Sequence, residues 1–120
     1  MAEEENPKIK SYFILNKIRE KLKESNPNQR TLLGVFLWHF KDVNGKLITN
    51  VVMDLKNLQI YYGEVDNPDV EIDIQDEEFL KVGKKEITFQ ELLEFGNVQV
   101  KGDPDLFTKM IEKFKLNGNK

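Results

Sequence analysis

Apolar positions switch between two repeats along the chain. In 8–24, KIKSYFILNKIREKLKE, Leu15, Ile18 and Leu22 recur at helical spacing and Ile14 widens the stripe. The spacing predicts an amphipathic helix with Ser11 in its first turn. Lys21 and Lys23 suit its negative pole, and SNPN (25–28) ends it, because the residue before Pro27 is biased out of helical conformation. Residues 33–41, LGVFLWHFK, repeat every second position. Phe36, Trp38 and Phe40 share one face; Val35, Leu37, His39 and Lys41 share the other, expected to be the wetter. Asn44-Gly45 is a hairpin signal, since both residues tolerate positive φ. It leads to a strand at 47–55, with Val51, Met53 and Leu55 on one face and Val52 and Asp54 on the other. Lys56-Asn57 then turns the chain into 58–62, where Leu58, Ile60 and Tyr62 are in phase. These three strands predict an antiparallel meander.

Beyond the loop 63–69, VEIDI (70–74) alternates cleanly, Val70, Ile72 and Ile74 inward and Glu71 and Asp73 outward. Such a strand has one buried and one solvated face. Asp76 reads as the N-cap of a short helix, EEFLKV, with Glu77 and Glu78 in its first turn. Thr88 and Glu91 have capping-box spacing and open FQELLEF, which carries Phe89, Leu92, Leu93 and Phe95 and stops at Gly96. A strand follows at 97–101. Asp103, Pro104 and Asp105 then start a helix running to about Phe114 or Leu116. The order α, βββ, β, α, α, β, α predicts an α+β domain, its helices on one face of a mainly antiparallel sheet. The expected organisation is an acidic disordered tail (1–7), a single domain (8–116) and a frayed end (117–120).

Composition removes several functions. The 120 residues hold no cysteine, one histidine, 18 Lys+Arg and 21 Asp+Glu, for a net charge of −3. Disulfides, thiolate metal sites and thiol catalysis are excluded. A nucleic-acid footprint would need a clustered basic excess. No apolar run reaches the roughly 20 residues of a membrane span, and the start, MAEEENP, has no apolar signal region. With His39 alone and no cysteine, the usual zinc sets are unavailable, and no metal or cofactor is expected. His39 itself reads as a surface or edge residue. Ser11 and Ser25 are the only serines, and neither sits in a nucleophile elbow. Capping and solvation account for Asp76, Glu77 and Glu78. The acidic stretch 66–78 lacks the spacing and central Gly of a calcium loop. Asp54 reads as an outward residue paired with a lysine on a neighbouring strand. The glycine turns VGKK (82–85) and VKGD (100–103) lack phosphate-loop spacing.

What remains is apolar. Phe36, Trp38 and Phe40 make an all-aromatic face; the last helix carries Leu106, Met110 and Phe114 in one row and Phe107 and Ile111 in the next. Met53 and Met110 are adaptable fillers. GVFLWHFKDVNGKLITNVVMDLKN, DNPDVEIDIQDEEFLK and VQVKGDPDLFTKM, in that order, resemble the sterol carrier protein 2 lipid-transfer domain. Shared features are a first strand and hairpin, an Asp-Leu-Lys-Asn turn (54–57), a Pro-Asp-led alternating strand, an Asp-x-x-Phe-Leu helix (76–80) and a Lys-Gly-x-x-x-Leu junction (101–106). The resemblance covers about 10–116.

It implies a five-stranded, mainly antiparallel sheet, helices over one face and an apolar tunnel between them for fatty acid, fatty acyl-CoA, sterol or phospholipid. The implied function is non-enzymatic intracellular lipid binding and transfer, with transient membrane contact, no nucleic acid and no set oligomeric state. Leu106, Met110 and Phe114 would close the cavity opposite Phe36, Trp38, Phe40 and Met53, with Phe79, Leu92 and Phe95 as further wall. Residues 81–95 are shorter than the family's usual segment and lack its Asn-Pro step, which leaves tunnel size and ligand class open. The end NGNK does not match the Ser-Lys-Leu type of peroxisomal address, so the expected compartment is the cytoplasm. The alternative is an interaction or dimerisation module with a filled core and no lipid.

Overall fold

Phe36, Trp38 and Phe40 occupy alternate positions of β1 (Val35–Lys41), the middle strand of a five-stranded sheet. The structure is a computed structural model and describes residues 9–24 and 34–114. The expectations for the tail at 1–7, the SNPN terminator, the strand start at 33 and the end past Phe114 lie outside the described residues. β2 (Leu47–Asp54) and β3 (Gln59–Tyr62) complete the antiparallel meander on one side of β1. On the other side β4 (Val70–Gln75) runs parallel to β1, and β5 (Val98–Gly102) pairs antiparallel with β4. The order is therefore β3-β2-β1-β4-β5. Four helices are described: α1 (Tyr12–Glu24), α2 (Asp76–Gly83), α3 (Phe89–Phe95) and α4 (Pro104–Lys113). The α+β class and the order of elements are as the sequence predicts.

The core lies between the helices and one sheet face. Phe36, Trp38, Phe40, Val51, Met53, Ile72 and Ile74 supply the sheet side, while Ile14, Leu15, Ile18, Phe79, Val82, Phe89, Leu92, Phe107, Met110 and Ile111 supply the helix side. The side chain of Leu22, expected in the α1 stripe, is not among those described. The opposite sheet face is less uniformly wet than its pattern suggests. His39 and Lys41 are half-buried, but Leu37 and its register partner Val52 are buried. They shield one another at the sheet centre, between Glu71 on β4 and Tyr61 on β3.

Three polar devices fix the layers. The first corrects the reading of Asp76. Gln75, not Asp76, is the N-cap of α2 and makes no side-chain cap bond. Asp76 is instead buried, and its carboxylate accepts from Lys10 N (2.7 Å), Ser11 N (2.9 Å) and Ser11 Oγ (2.6 Å). It thus holds orphan donors at the entry to α1, which begins at Tyr12 rather than near Lys8. Beside it, Lys10 Nζ donates to Glu77 Oε2 at 2.8 Å, and that carboxylate raises the Lys10 pKa above its ordinary value.

Asp69 is the second. Val35 N donates to its Oδ2 (2.9 Å), its own N–H donates to Val35 O (2.8 Å), and its carbonyl accepts from Asp103 N (3.0 Å). One residue so joins the starts of β1 and β4 to the cap of α4. Gly102, at the same crossing, has φ +109°, and a Cβ there would run into the Asp69 carbonyl oxygen. The third is Asp54, also a correction. Rather than pairing with a lysine across strands, it accepts from Lys56 N (3.0 Å), Asn57 N (3.1 Å) and Asn57 Nδ2 (2.8 Å). It folds the 54–57 turn, after which Leu58 takes φ +56° and β3 starts at Gln59.

Candidate functional site

α3 and α4 both start on the caps the sequence predicts. Thr88 accepts from Glu91 N while Glu91 Oε1 accepts from Thr88 N, a complete capping box. Asp103 accepts from the N–H groups of Asp105 and Leu106, and Pro104 follows it. Between these helices and β5 lies an apolar cleft of about 350 Å³. Phe89, Leu93, Val100, Pro104, Phe107 and Ile111 form its walls, and Gln90, Thr108 and Glu112 its polar rim. Its volume falls in the ~300–1,000 Å³ range of small-molecule sites.

The cleft abuts a continuous aromatic cluster. Phe107 meets Phe89 edge-on at 5.7 Å, and Phe89 meets Trp38 at 6.0 Å. Trp38 contacts Phe79 at 5.0 Å and stacks on Phe40 at 5.7 Å. Phe89 therefore stands between the open cleft and the middle of the sheet.

The structure brings most of the sequence-expected wall together. Phe36, Trp38, Phe40, Met53, Phe79, Leu92, Met110 and Phe114 all belong to one buried cluster. Leu106 is only half-buried and leans toward Gly34 at the foot of β1. Phe95 stands apart at 64% exposure. It is the last residue of α3, before the Gly96 cap. The two rows of α4 also divide differently from the expectation. Phe107 and Ile111 line the cleft, whereas Phe114 faces a second recess of about 190 Å³ with Ile14, Ile18 and Val82, rimmed by Lys17, Lys21 and Lys85. The cleft is lined instead by Phe89, Leu93, Val100, Phe107 and Ile111, none of which belongs to the expected wall. The signal for them was their phase with core residues, Phe107 lying one turn before Ile111.

Among the described residues, the polar candidates His39, Asp54 and Asp76 occupy separate places in the fold. His39 lies on a central strand rather than an edge, with Nδ1 2.7 Å from Asn50 Oδ1. Asn50 Nδ2 donates to Glu64 at 3.0 Å, so the amide oxygen faces the imidazole. Glu71 and Asp73 carboxylates lie 3.8 and 3.9 Å from Nε2, and Lys41 lies 3.7 Å from Asp73. This is a charged patch on the face opposite the cleft. Among the described residues no group of three acidic or histidine side chains has metal-binding geometry, and no helix is long and apolar enough to cross a membrane.

Comparison with known proteins agrees with this architecture. No match was found among curated proteins. Among solved structures, the chain is similar to sterol carrier protein-2 like-3 from Aedes aegypti, with 30% identity, 89% of this chain and 98% of that one covered, and a TM-score of 0.77. It is also similar to palmitated sterol carrier protein-2 like-2 from the same species, at 28% identity, 89% and 96% coverage and a TM-score of 0.72. The A. aegypti sterol carrier protein-2 complex with palmitate shares the fold, at 22% identity, 91% and 97% coverage and a TM-score of 0.79. A family profile described as the SCP-2 sterol transfer family matches residues 15–115. The chain belongs to the SCP-2 sterol transfer family.

Proposed function

We propose that this protein binds a lipid by its hydrocarbon part and carries it between membranes, without covalent chemistry. The observation that carries the reading is the cleft of about 350 Å³ under α4, apolar on its walls and polar only at its rim. Fatty acid, fatty acyl-CoA, sterol and phospholipid all offer the apolar body it requires. Palmitate in two structurally similar sterol carrier proteins supports the same reading. Burying a chain of ~16 carbons gains roughly 12 kcal/mol gross at ~0.8 kcal/mol per CH₂, and a bilayer offers a similar gain. A carrier has only to match that value and then open.

α4 is the element suited to opening. It is the last described helix and follows the edge strand β5. Phe107 and Ile111 form one wall of the cleft, so a small outward movement of α4 widens it. In this reading the binding residues are those of the cleft and the ring cluster behind it: Phe36, Trp38, Phe40, Met53, Phe79, Leu92 and Met110, with Leu106 and Phe114 at the flanks of α4. Lipid transfer takes place inside the cell, with brief contact at donor and acceptor membranes.

Native mass spectrometry of the purified chain, with organic extraction of the same sample, tests the proposal. A co-purified lipid, or uptake of added fatty acid, acyl-CoA or sterol, is the expected result. A mass that stays bare after all three additions favours the second reading, an interaction module. That reading has its own supporting observation, the full burial and mutual contact of the Trp38, Phe40, Phe79 and Phe89 rings.

A further inference from the structure

Trp38 Nε1 is buried and has no hydrogen-bond partner. A buried indole N–H normally finds an acceptor, and each exception asks for a cause. The side chains packed on the indole do not favour the simplest remedy, a buried water. Phe40, Phe79 and Phe89 lie against the indole, and Val51 and Ile72 flank it on the neighbouring strands. A buried water needs two to four polar partners; these side chains supply none. An oxygen brought in on an apolar body needs fewer partners than a water, and a carbonyl oxygen is satisfied by the one donor.

Charge narrows the class of oxygen. An ionised carboxylate is costly to bury without a paired cation, and the side chains named around Trp38 carry none. A neutral hydroxyl or ester carbonyl avoids the cost of burying a charge, and the indole N–H offsets much of its desolvation. The route is given by Phe89, which lines the cleft and also touches the indole. That one ring thus stands between the cleft and the indole.

Resting on the lipid-binding reading, we propose that Trp38 Nε1–H is the internal donor for one neutral oxygen of the ligand. The ligand then lies with its hydroxyl or ester carbonyl inward and its hydrocarbon along the cleft. Trp38 selects neutral oxygenated lipids over the matching hydrocarbons.

The chain has a single tryptophan, so one indole resonance reports the site. We would titrate the full ¹⁵N-labelled chain with decan-1-ol and, separately, with decane, each supplied to saturation. The expected result is movement of the Val100 and Ile111 resonances with both, and a downfield shift of the indole proton with decan-1-ol alone. Equal indole shifts with both, or none with decan-1-ol while the cleft resonances move, would overturn the assignment and leave the lipid reading intact. No movement with either compound, nor with a fatty acid, would overturn the lipid reading itself. In Trp38→Phe the preference for decan-1-ol over decane should fall about tenfold, or about 1.4 kcal/mol. If that variant does not fold, the native indole shift decides alone.

Discussion

Ser11 Oγ donates to Asp76 Oδ1 at 2.6 Å, a buried bond between residues 65 positions apart. It ties the entry of α1 to the first turn of α2, and the carboxylate accepts from two backbone N–H groups besides. Asp76→Ala would strand these donors, at a cost of about 3 kcal/mol given ~1–3 kcal/mol for each unmet buried group. Urea denaturation should show a lower midpoint at unchanged slope. Asp76→Asn keeps an acceptor oxygen and should lose less.

Gly102 combines φ +109° with a close approach to the Asp69 carbonyl. Gly102→Ala should cost ~2 kcal/mol, because both the strained conformation and the displaced backbone count against it. Thermal unfolding measures the loss. An Ala variant as stable as the parent would contradict the crossing of β4 and β5 described above.

Cleft and core positions on α4 should respond differently. Phe107 is buried but also lines the cleft, so Phe107→Trp should weaken lipid binding about tenfold and cost some stability as well. Met110 is fully buried, so Met110→Trp overpacks the core and should cost about 1–3 kcal/mol of stability. Displacement of a bound fluorescent fatty acid, with a denaturation curve for each variant, separates the two effects.

Phe95 is 64% exposed at the end of α3. Phe95→Ser should change stability by no more than ~0.5 kcal/mol and leave lipid affinity unaltered. A loss of affinity in this variant would place Phe95 at the mouth of the site.

Local alternation was enough to read β1, β2 and β4, because each has one strongly buried face. The caps of α3 and α4 were equally legible, since Thr88–Glu91 and Asp103–Leu106 act within one turn. Asp76 was not. An acidic run before a helix has a sufficient local explanation, and the donors Asp76 serves are far away in sequence. Asp54 sits in the phase of the β2 strand pattern, which suggests a cross-strand partner, while its bonds are to the 54–57 turn that follows. Helical phase does not separate Phe95 from the core, since it lies only ~60° from the buried Leu92 at ~100° per residue; it is exposed as the last residue of α3 before the Gly96 cap. The cleft could not be foreseen in outline, because it depends on how far α3 stands from α4 across β5, a tertiary distance that no local repeat encodes.

The parallel pairing of β1 with β4 has a kinetic consequence. Its first register pair is Phe36 with Val70, and the chain between them is spent on β2 and β3. Closing a loop of that length costs entropy before the ladder returns anything. The meander should therefore form early and gain β4, β5 and α4 afterwards. On this order the cleft between α3, α4 and β5 is the last part of the molecule to form, and a chain still emerging from the ribosome has a sheet centre before it has that cleft.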